Sequence, residues 1–576
     1  MKYEVNFGRI GGGRRPAASG KKFRLALLGD FSGRANAGTL ETGEALAARK
    51  PIRVDVDNLD DVIARMEIGL ALNLTEDGGA VAVPIASMED FHPDQLAANV
   101  SLFDELRGLR RNLANKVGFE KAAKQVMAWG GAEMPPPPPR RARGSAVAAR
   151  KLSDFADLVG RPAAPDPDET AIDDLVARLV GPFIKPARDP RQDVLIAQVD
   201  EALSGAMRRV LHHPDFQTAE ALWRGVEMLV RRIETSATME IVLYDVSAEE
   251  LAADLAATET LEDAGLYGML VEKPAQDAHQ GALSAVIGLY DFELAPPHAD
   301  LLGRIASIAA AAGAPFVAAI GPDALATPMH LQNPLIQDAF GALFEAPQSV
   351  YLGLATPRFL MRLPYGKKTD PIDAFAFEEF TRQEGLSGML WGHPALIPAL
   401  LLAETYAQQG TKMRLGTVMG VGDIAYYVYT APDGEQVALP CTERLYSERQ
   451  AIAIAQYKVM PLLSLRGKPE LRLGGFTSIG GTPLAGFWAP AGMPPPAPAA
   501  APARPAPAAR EAEPEEAEAE EVEAAPSETE TTASEAPAEA EEVDLDKLLA
   551  DLNADPPPAA EGETEPDLDA LLASLK

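Results

Sequence analysis

Leu211-His212-His213-Pro214-Asp215-Phe216-Gln217, followed by Ala221-Leu222-Trp223-Arg224-Gly225, is the stretch on which the reading of this chain turns. It reads as the opening of a helix. Pro214 stops any helix running in from upstream, and Asp215 can cap the free amides of the first turn. Phe216, Ala219, Leu222, Trp223, Val226, Leu229 and Val230 then recur at three- and four-residue spacing, which makes one broad apolar face. His212 and His213 are adjacent, so their rings point apart, and the pair reads as scaffold rather than as a shared metal site.

Outward from this word the pattern alternates. Downstream, 239–244 reads as a strand, and Ser247 with Glu250 forms a capping box for the next helix. Residues 284–292 read as a second strand, 298–312 as a helix closed by Gly313, and 316–320 as a third strand. Strands alternating with helices predict an α/β domain with a largely parallel or mixed sheet. Upstream, residues 1–130 read as an α+β module. Within it 23–29 is an apolar strand, 59–70 a helix with Val62, Ile63, Met66 and Leu70 on one face, and 93–117 another helix.

Between these parts lies a linker, 131–168, with prolines at 135–139 followed by Arg140, Arg141 and Arg143. No core element tolerates five consecutive prolines, so this is a stiff, solvated spacer whose arginines are free to touch acidic segments. A helical pattern at Ile172, Leu175, Val176 and Leu179 begins the second domain, 169–486. From 487 to 576 the chain is Ala/Pro-rich and then Ala/Glu-rich, a composition expected to be disordered. Two near copies of D-L-D-x-L-L-A-x-L interrupt it. Leu545, Leu548, Leu549 and Leu552 form one leucine stripe, and Leu568, Leu571, Leu572 and Leu575 form the other. Each is too short for a stable isolated helix. Repeated amphipathic motifs in such a tail are expected to dock into a partner's groove, with avidity from the two copies.

Charge and cysteine content narrow the function. The chain has 576 residues and a formal net charge of −32. The stretch from Pro490 holds roughly 23 acidic and 4 basic residues, so about −19 of that total sits in the tail. Nucleic acid is therefore not an expected partner. Cys441 is the single cysteine, which excludes an internal disulfide and suits a reducing cytoplasm. The N-terminus carries no signal-peptide core and no apolar run is long enough to insert in a membrane. Neither a catalytic triad nor paired carboxylates can be defended from spacing, and no cofactor or metal is expected. Gly420-Val421-Gly422-Asp423-Ile424-Ala425 fits G-x-G-x-x-A, but a strand-like Tyr426-Tyr427-Val428-Tyr429 follows it where a dinucleotide site needs a helix. Arg358, Arg362, Lys367 and Lys368 cluster around Pro364-Tyr365-Gly366. They read as ion-pair partners of Asp370, Asp373, Glu378 and Glu379, with anion binding as the alternative. The balance is an assembly or interaction protein rather than an enzyme.

The word at 211–225 resembles the start of the conserved domain of the large contractile-sheath protein of type VI secretion systems, the TssC (VipB-like) family. The likeness continues in order through 288–292, with Leu289 where the family usually has Asp, and through 308–317. It then runs through 351–366, which includes Pro357, Arg358, Pro364, Tyr365 and Gly366, and through 377–379, 391–392, 433–435 and 441–443. The N-terminal module resembles the small sheath protein, TssB (VipA-like), on 27–34, 51–62, 87–94 and 106–113. The resemblance implies a fusion of two subunits that are elsewhere separate chains, and a cytoplasmic bacterial structural protein. Sheath subunits or copies of itself are the implied partners, with the inner tube protein, the baseplate and an AAA+ recycling unfoldase further out. Residues 172–180 sit where the family presents its unfoldase-binding helix. The family's large protein continues past the region matching 463–486 with strands exchanged between subunits, and here the acidic tail stands in that place. The resemblance thus leaves open a polymerising sheath subunit or a non-polymerising accessory that recruits partners through its tail.

Overall fold

The computed structural model describes residues 5–8, 22–74, 80–115, 117–129, 190–277, 281–430, 434, 436–465 and 467–489. All of them fall in one compact unit, Met1–Pro502. The linker at 131–168, the helical pattern at 172–180 and both tail motifs lie outside the described residues.

The strands are β1 (Phe23–Gly29), β2 (Ile52–Val54), β3 (Ile68–Leu72), β4 (Val81–Ile85), β5 (Met239–Asp245), β6 (Ala285–Phe292), β7 (Phe316–Ile320), β8 (Leu352–Thr356), β9 (Phe359–Leu360), β10 (Trp391–Gly392), β11 (Gly420–Gly422), β12 (Val428–Thr430), β13 (Gln436–Ala438), β14 (Met460–Ser464) and β15 (Glu470–Leu473). Nine of them form one mixed sheet in the order β11-β15-β14-β8-β7-β6-β1-β5-β2. From β14 to β5 the pairings are parallel, and antiparallel pairs close both ends. Three two-stranded pairs, β3-β4, β9-β10 and β12-β13, lie outside it.

The position of β1 organises the molecule. It pairs with β5 from Phe23↔Met239 to Gly29↔Asp245 and with β6 from Leu25↔Ala285 to Leu28↔Gly288. All seven of its residues are buried. This explains its unbroken apolar run, because a parallel strand covered on both faces has no solvent side to mark with polar residues. Leu25 and Leu27 enter one core, and Ala26 and Leu28 enter the other across the sheet. Buried Arg24 is matched by Glu240 on β5. Residues before 130 and residues after 190 therefore share a single sheet.

The helices used below are α1 (Leu59–Met66), α2 (Pro93–Asn99), α3 (Ser101–Ala114), α4 (Phe119–Ala128), α5 (Pro190–Leu211), α6 (Pro214–Arg232), α7 (Ala248–Ala257), α8 (Pro296–Ala312), α9 (Pro334–Glu345) and α10 (Leu396–Gln409). One core, under α5, α6 and α10, also takes in the N-terminal module. The second core lies under α7, α8 and α9.

Several local expectations hold. Ser247 and Glu250 form the reciprocal capping box of α7, and Gly313 ends α8 with φ 67°. Three differ. The helix expected over 59–70 stops at Met66, because Glu67 turns into the left-handed region (φ 50°) and Leu70 belongs to β3, whose residues alternate in and out. The helix expected over 93–117 is two helices, split where Val100 adopts extended backbone. The cap of α6 is His213, whose Nδ1 accepts from the Asp215 amide at 3.3 Å, while Pro214 occupies the first helical position. Asp215 instead accepts from Asn36 Nδ2 at 2.7 Å.

Candidate functional site

The chemistry-bearing side chains gather along the seam where the N-terminal module meets the rest of the unit. At one end, the loop after β1 turns sharply away from the sheet. Its amides at Phe31 and Ser32 donate to Asp245 Oδ1 (2.8 and 3.1 Å), and Ser32 Oγ donates to Asp245 Oδ2 (2.6 Å). Next to them, Arg34 and Arg49 converge on Glu250, with closest contacts of 2.8 and 2.5 Å. Burial alone would push the Glu250 carboxyl up. The two arginines and the Ser247 amide outweigh burial and hold it at about 2. Gly43 and Gly265 both donate to Asp254 Oδ1 (2.6 and 3.0 Å).

This is the carboxyl end of the parallel strands, where β5 and β6 flank β1 and the strand order reverses. Open α/β sheets bind ligands at such a point. Here the chain's own carboxylates satisfy the loop amides, so the crevice serves as a joint between segments.

At the other end the two long sequence signatures meet. Arg362 lies between Glu220 of α6 and Glu379. Its Nε donates to Glu220 Oε1 (2.7 Å), its Nη1 to Glu379 Oε2 (2.7 Å) and its Nη2 to Glu379 Oε1 (2.9 Å). Arg224 donates to Glu220 Oε1 (2.7 Å) and to the Tyr365 hydroxyl (2.9 Å). The Tyr365 amide donates to Glu379 Oε2 (2.7 Å), and the Arg362 guanidinium stacks 4.2 Å from the Tyr365 ring centre. Burial opposes the charge on Arg362, but Glu220 and Glu379 more than offset it. The Glu379 carboxyl is likewise held at about 2, with Arg362 overcoming burial, and burial pushes the Tyr365 phenol up to about 12. Charges fixed this firmly hold surfaces together, and they are far from the near-neutral poise of an acid–base catalyst.

The N-terminal module closes over this network. His92 packs edge-on against Tyr365 with ring centres 5.0 Å apart. Asp94 accepts from the amides of Asp373 and Ala374 at 2.8–3.1 Å. Phe91 meets Phe216 at 5.7 Å. Phe31 meets Trp223 at 5.4 Å, and the indole donates to the Phe31 carbonyl at 3.1 Å.

The structure thus brings together His212, Trp223, Arg224, Tyr365 and the glycines beside them. His212 sits 3.7 Å from Glu379 and 3.6 Å from Glu384. Gly225 leaves room for α10, since a Cβ there would lie 2.6 Å from Leu396 Cδ1, and Gly366 lies against the Glu378 carboxylate. Pro357 follows a cis peptide, and Arg358 stands apart, paired with Glu443 at 2.8 Å. Among the acids expected to pair with the basic cluster, Glu379 does so, whereas Glu220 and Glu443 supply the other partners. Glu220 went unread in the sequence, although a carboxylate between Phe216 and Trp223 on an apolar helix face was a usable signal. The segment at 420–425 is an edge strand and turn. Gly422 and Asp423 accept from Arg232 through their carbonyls at 2.9 and 2.8 Å. Among the described residues there is no cluster of three potential metal ligands and no helix long and apolar enough to cross a membrane.

Comparison with known proteins agrees with this geometry. A family model described as type VI secretion system, VipA, matches residues 20–127, and one described as EvpB, tail sheath N-terminal domain, matches residues 193–479. The type VI secretion system sheath protein TssC1 of Pseudomonas aeruginosa is 32% identical over 285 residues, which cover 47% of this chain and 57% of that relative. The chain thus spans somewhat more than half the length of the curated relative it matches. The seam described above runs between the two matched segments, and the chain belongs to the type VI secretion sheath family, as a fusion of small- and large-subunit domains in one polypeptide.

Proposed function

We propose that the chain is a structural subunit of a type VI secretion contractile sheath or a sheath-like assembly, delivered as a prejoined small and large subunit. The observation that carries this reading is β1. A strand from the small-subunit segment lies between two strands of the large-subunit segment, and the contacts of Phe31 and Ser32 with Asp245 and of Arg34 and Arg49 with Glu250 tie the chain that follows it to the large-subunit segment. Joining the segments makes their pairing intramolecular and fixes a one-to-one ratio. The assembly partners are copies of this chain or other sheath subunits. An inner tube protein, a baseplate and an AAA+ unfoldase are the further partners the family reading supplies, in the bacterial cytoplasm. The role is mechanical rather than enzymatic.

A second reading is a non-polymerising accessory that caps or initiates a sheath and recruits partners through Leu545–Leu552 and Leu568–Leu575. The acidic composition of the tail and its repeated leucine stripes favour it. Electron microscopy of the protein expressed alone separates the two. Tubes support a sheath subunit, and discrete particles support the accessory.

A further inference from the structure

Two adjoining cavities of about 440 and 500 Å³ form one groove across the seam, lined by the N-terminal module on one side and by α5 on the other. Its walls are Leu74 beyond β3 and Leu102 and Leu106 of α3, and its floor is Ala202, Gly205 and Ala206 of α5. These floor residues fall at i, i+3 and i+4, so they share one helical face. Small side chains there leave apolar surface open between α3 and α5. A side chain added at Gly205 would meet nothing within 4 Å. Arg209 lines both cavities and is exposed, without an ion pair among the described residues. Glu201 lies two turns away along α5, near Arg208 at 3.5 Å.

We propose that this groove takes the segment Asp567–Lys576 from a second copy of the chain, linking neighbouring subunits. The inference rests on the reading of the chain as an assembly subunit. The segment fits in length: its leucine stripe, from Leu568 to Leu575, runs about 10 Å as a helix, and the floor from Glu201 to Arg209 runs about 12 Å. It fits in shape, because four leucines supply the bulk that Ala202, Gly205 and Ala206 lack. It fits in charge, with Asp567 and Asp569 toward Arg209 at one end and Lys576 toward Glu201 at the other. The helix dipole adds to the first of these contacts, since acidic residues in a first turn are favoured. Reach is ample: the 77 residues between Ala489 and Asp567 can span up to about 260 Å, against a radius of gyration of about 21 Å for a compact unit of this size.

The test uses the full chain. Leu571 is replaced by p-benzoylphenylalanine in unlabelled protein, which is mixed with an equal amount of ¹⁵N-labelled chain and irradiated. Mass spectrometry should find cross-links joining labelled and unlabelled copies at α5 or α3. Gly205→Trp in the labelled acceptor should reduce them at least tenfold, while Gly108→Trp, also in open space on α3, should leave them within twofold. Cross-links confined to one copy, cross-links placed elsewhere, or a yield unchanged by Gly205→Trp would overturn the proposal. Electron microscopy of the same samples reads assembly separately. Assemblies without the groove cross-link strike this inference alone, whereas groove cross-links without ordered assemblies strike the functional reading and leave the link intact.

Discussion

Replacing Arg362 with methionine should loosen the whole joint between the signatures. Methionine keeps an unbranched stem of similar length but removes the guanidinium. Glu379 then keeps only the Tyr365 amide at 2.7 Å and a distant His212, and Glu220 keeps only Arg224. Both carboxylates are almost fully shielded, with side-chain exposures of 0% and 2%. Removing one partner from a buried pair costs about 3–5 kcal/mol. Over about 400 described residues, unfolding entropy of about 2.1 cal/mol/K per residue sums to about 0.8 kcal/mol/K, so the midpoint should fall by about 4–6 °C. Thermal unfolding followed by circular dichroism measures this. Adding Glu379→Gln to Arg362→Met removes the stranded charge and should restore at least half of the loss, a coupling of about 2 kcal/mol. If Arg362→Met melts within 1 °C of the parent, or if Glu379→Gln restores nothing, the network does not hold the joint.

Three further outcomes are expected. A protease site inserted after Arg143 and cut to completion should leave both halves eluting together in native buffer, because β1 is bonded on both edges; separation without denaturant would contradict its central position. Glu250 and Glu379 sit at about 2 against an ordinary value of 4.5, so their stabilisation is complete above pH 4.5 and is lost as pH falls toward 2. Glu250→Gln should flatten the dependence of melting temperature on pH in that window, and an unchanged slope would refute the assignment. Gly225→Leu should cost about 1–3 kcal/mol by driving α6 from α10, measured as a lower urea midpoint at constant slope. Leu396→Ala in the same chain should relieve part of that loss.

The sequence showed the elements better than their partners. The apolar run of β1, the box at Ser247 and Glu250 and the stop at Gly313 are local, and each could be read within a few residues. The neighbours of β1 could not. They lie more than 200 residues downstream, and a strand buried on both faces carries no alternation to specify its register. The end of α1 was misplaced because Leu70 continues the apolar spacing of a helix while serving as an inward position of β3. The Arg362 cluster was legible in kind but not in detail. Arginines near acids suggested ion pairs, yet the decisive carboxylate, Glu220, lies 142 residues away on another element. The tail motifs lie outside the described residues.

The place of β1 also sets a clock for synthesis. The ribosome finishes Gly29 about 210 residues before it reaches Met239, the start of the first strand that can pair with β1. At 5–20 residues per second, that is roughly 10–40 s during which a seven-residue apolar strand has neither of its permanent neighbours. Two separate chains would meet the same need by diffusion, after each had left the ribosome. In the fused chain the wait has a fixed upper limit, and both partner strands arrive on the same tether. The interval between the two halves therefore matters for how the nascent chain is kept from aggregating as well as for the stoichiometry of the finished subunit.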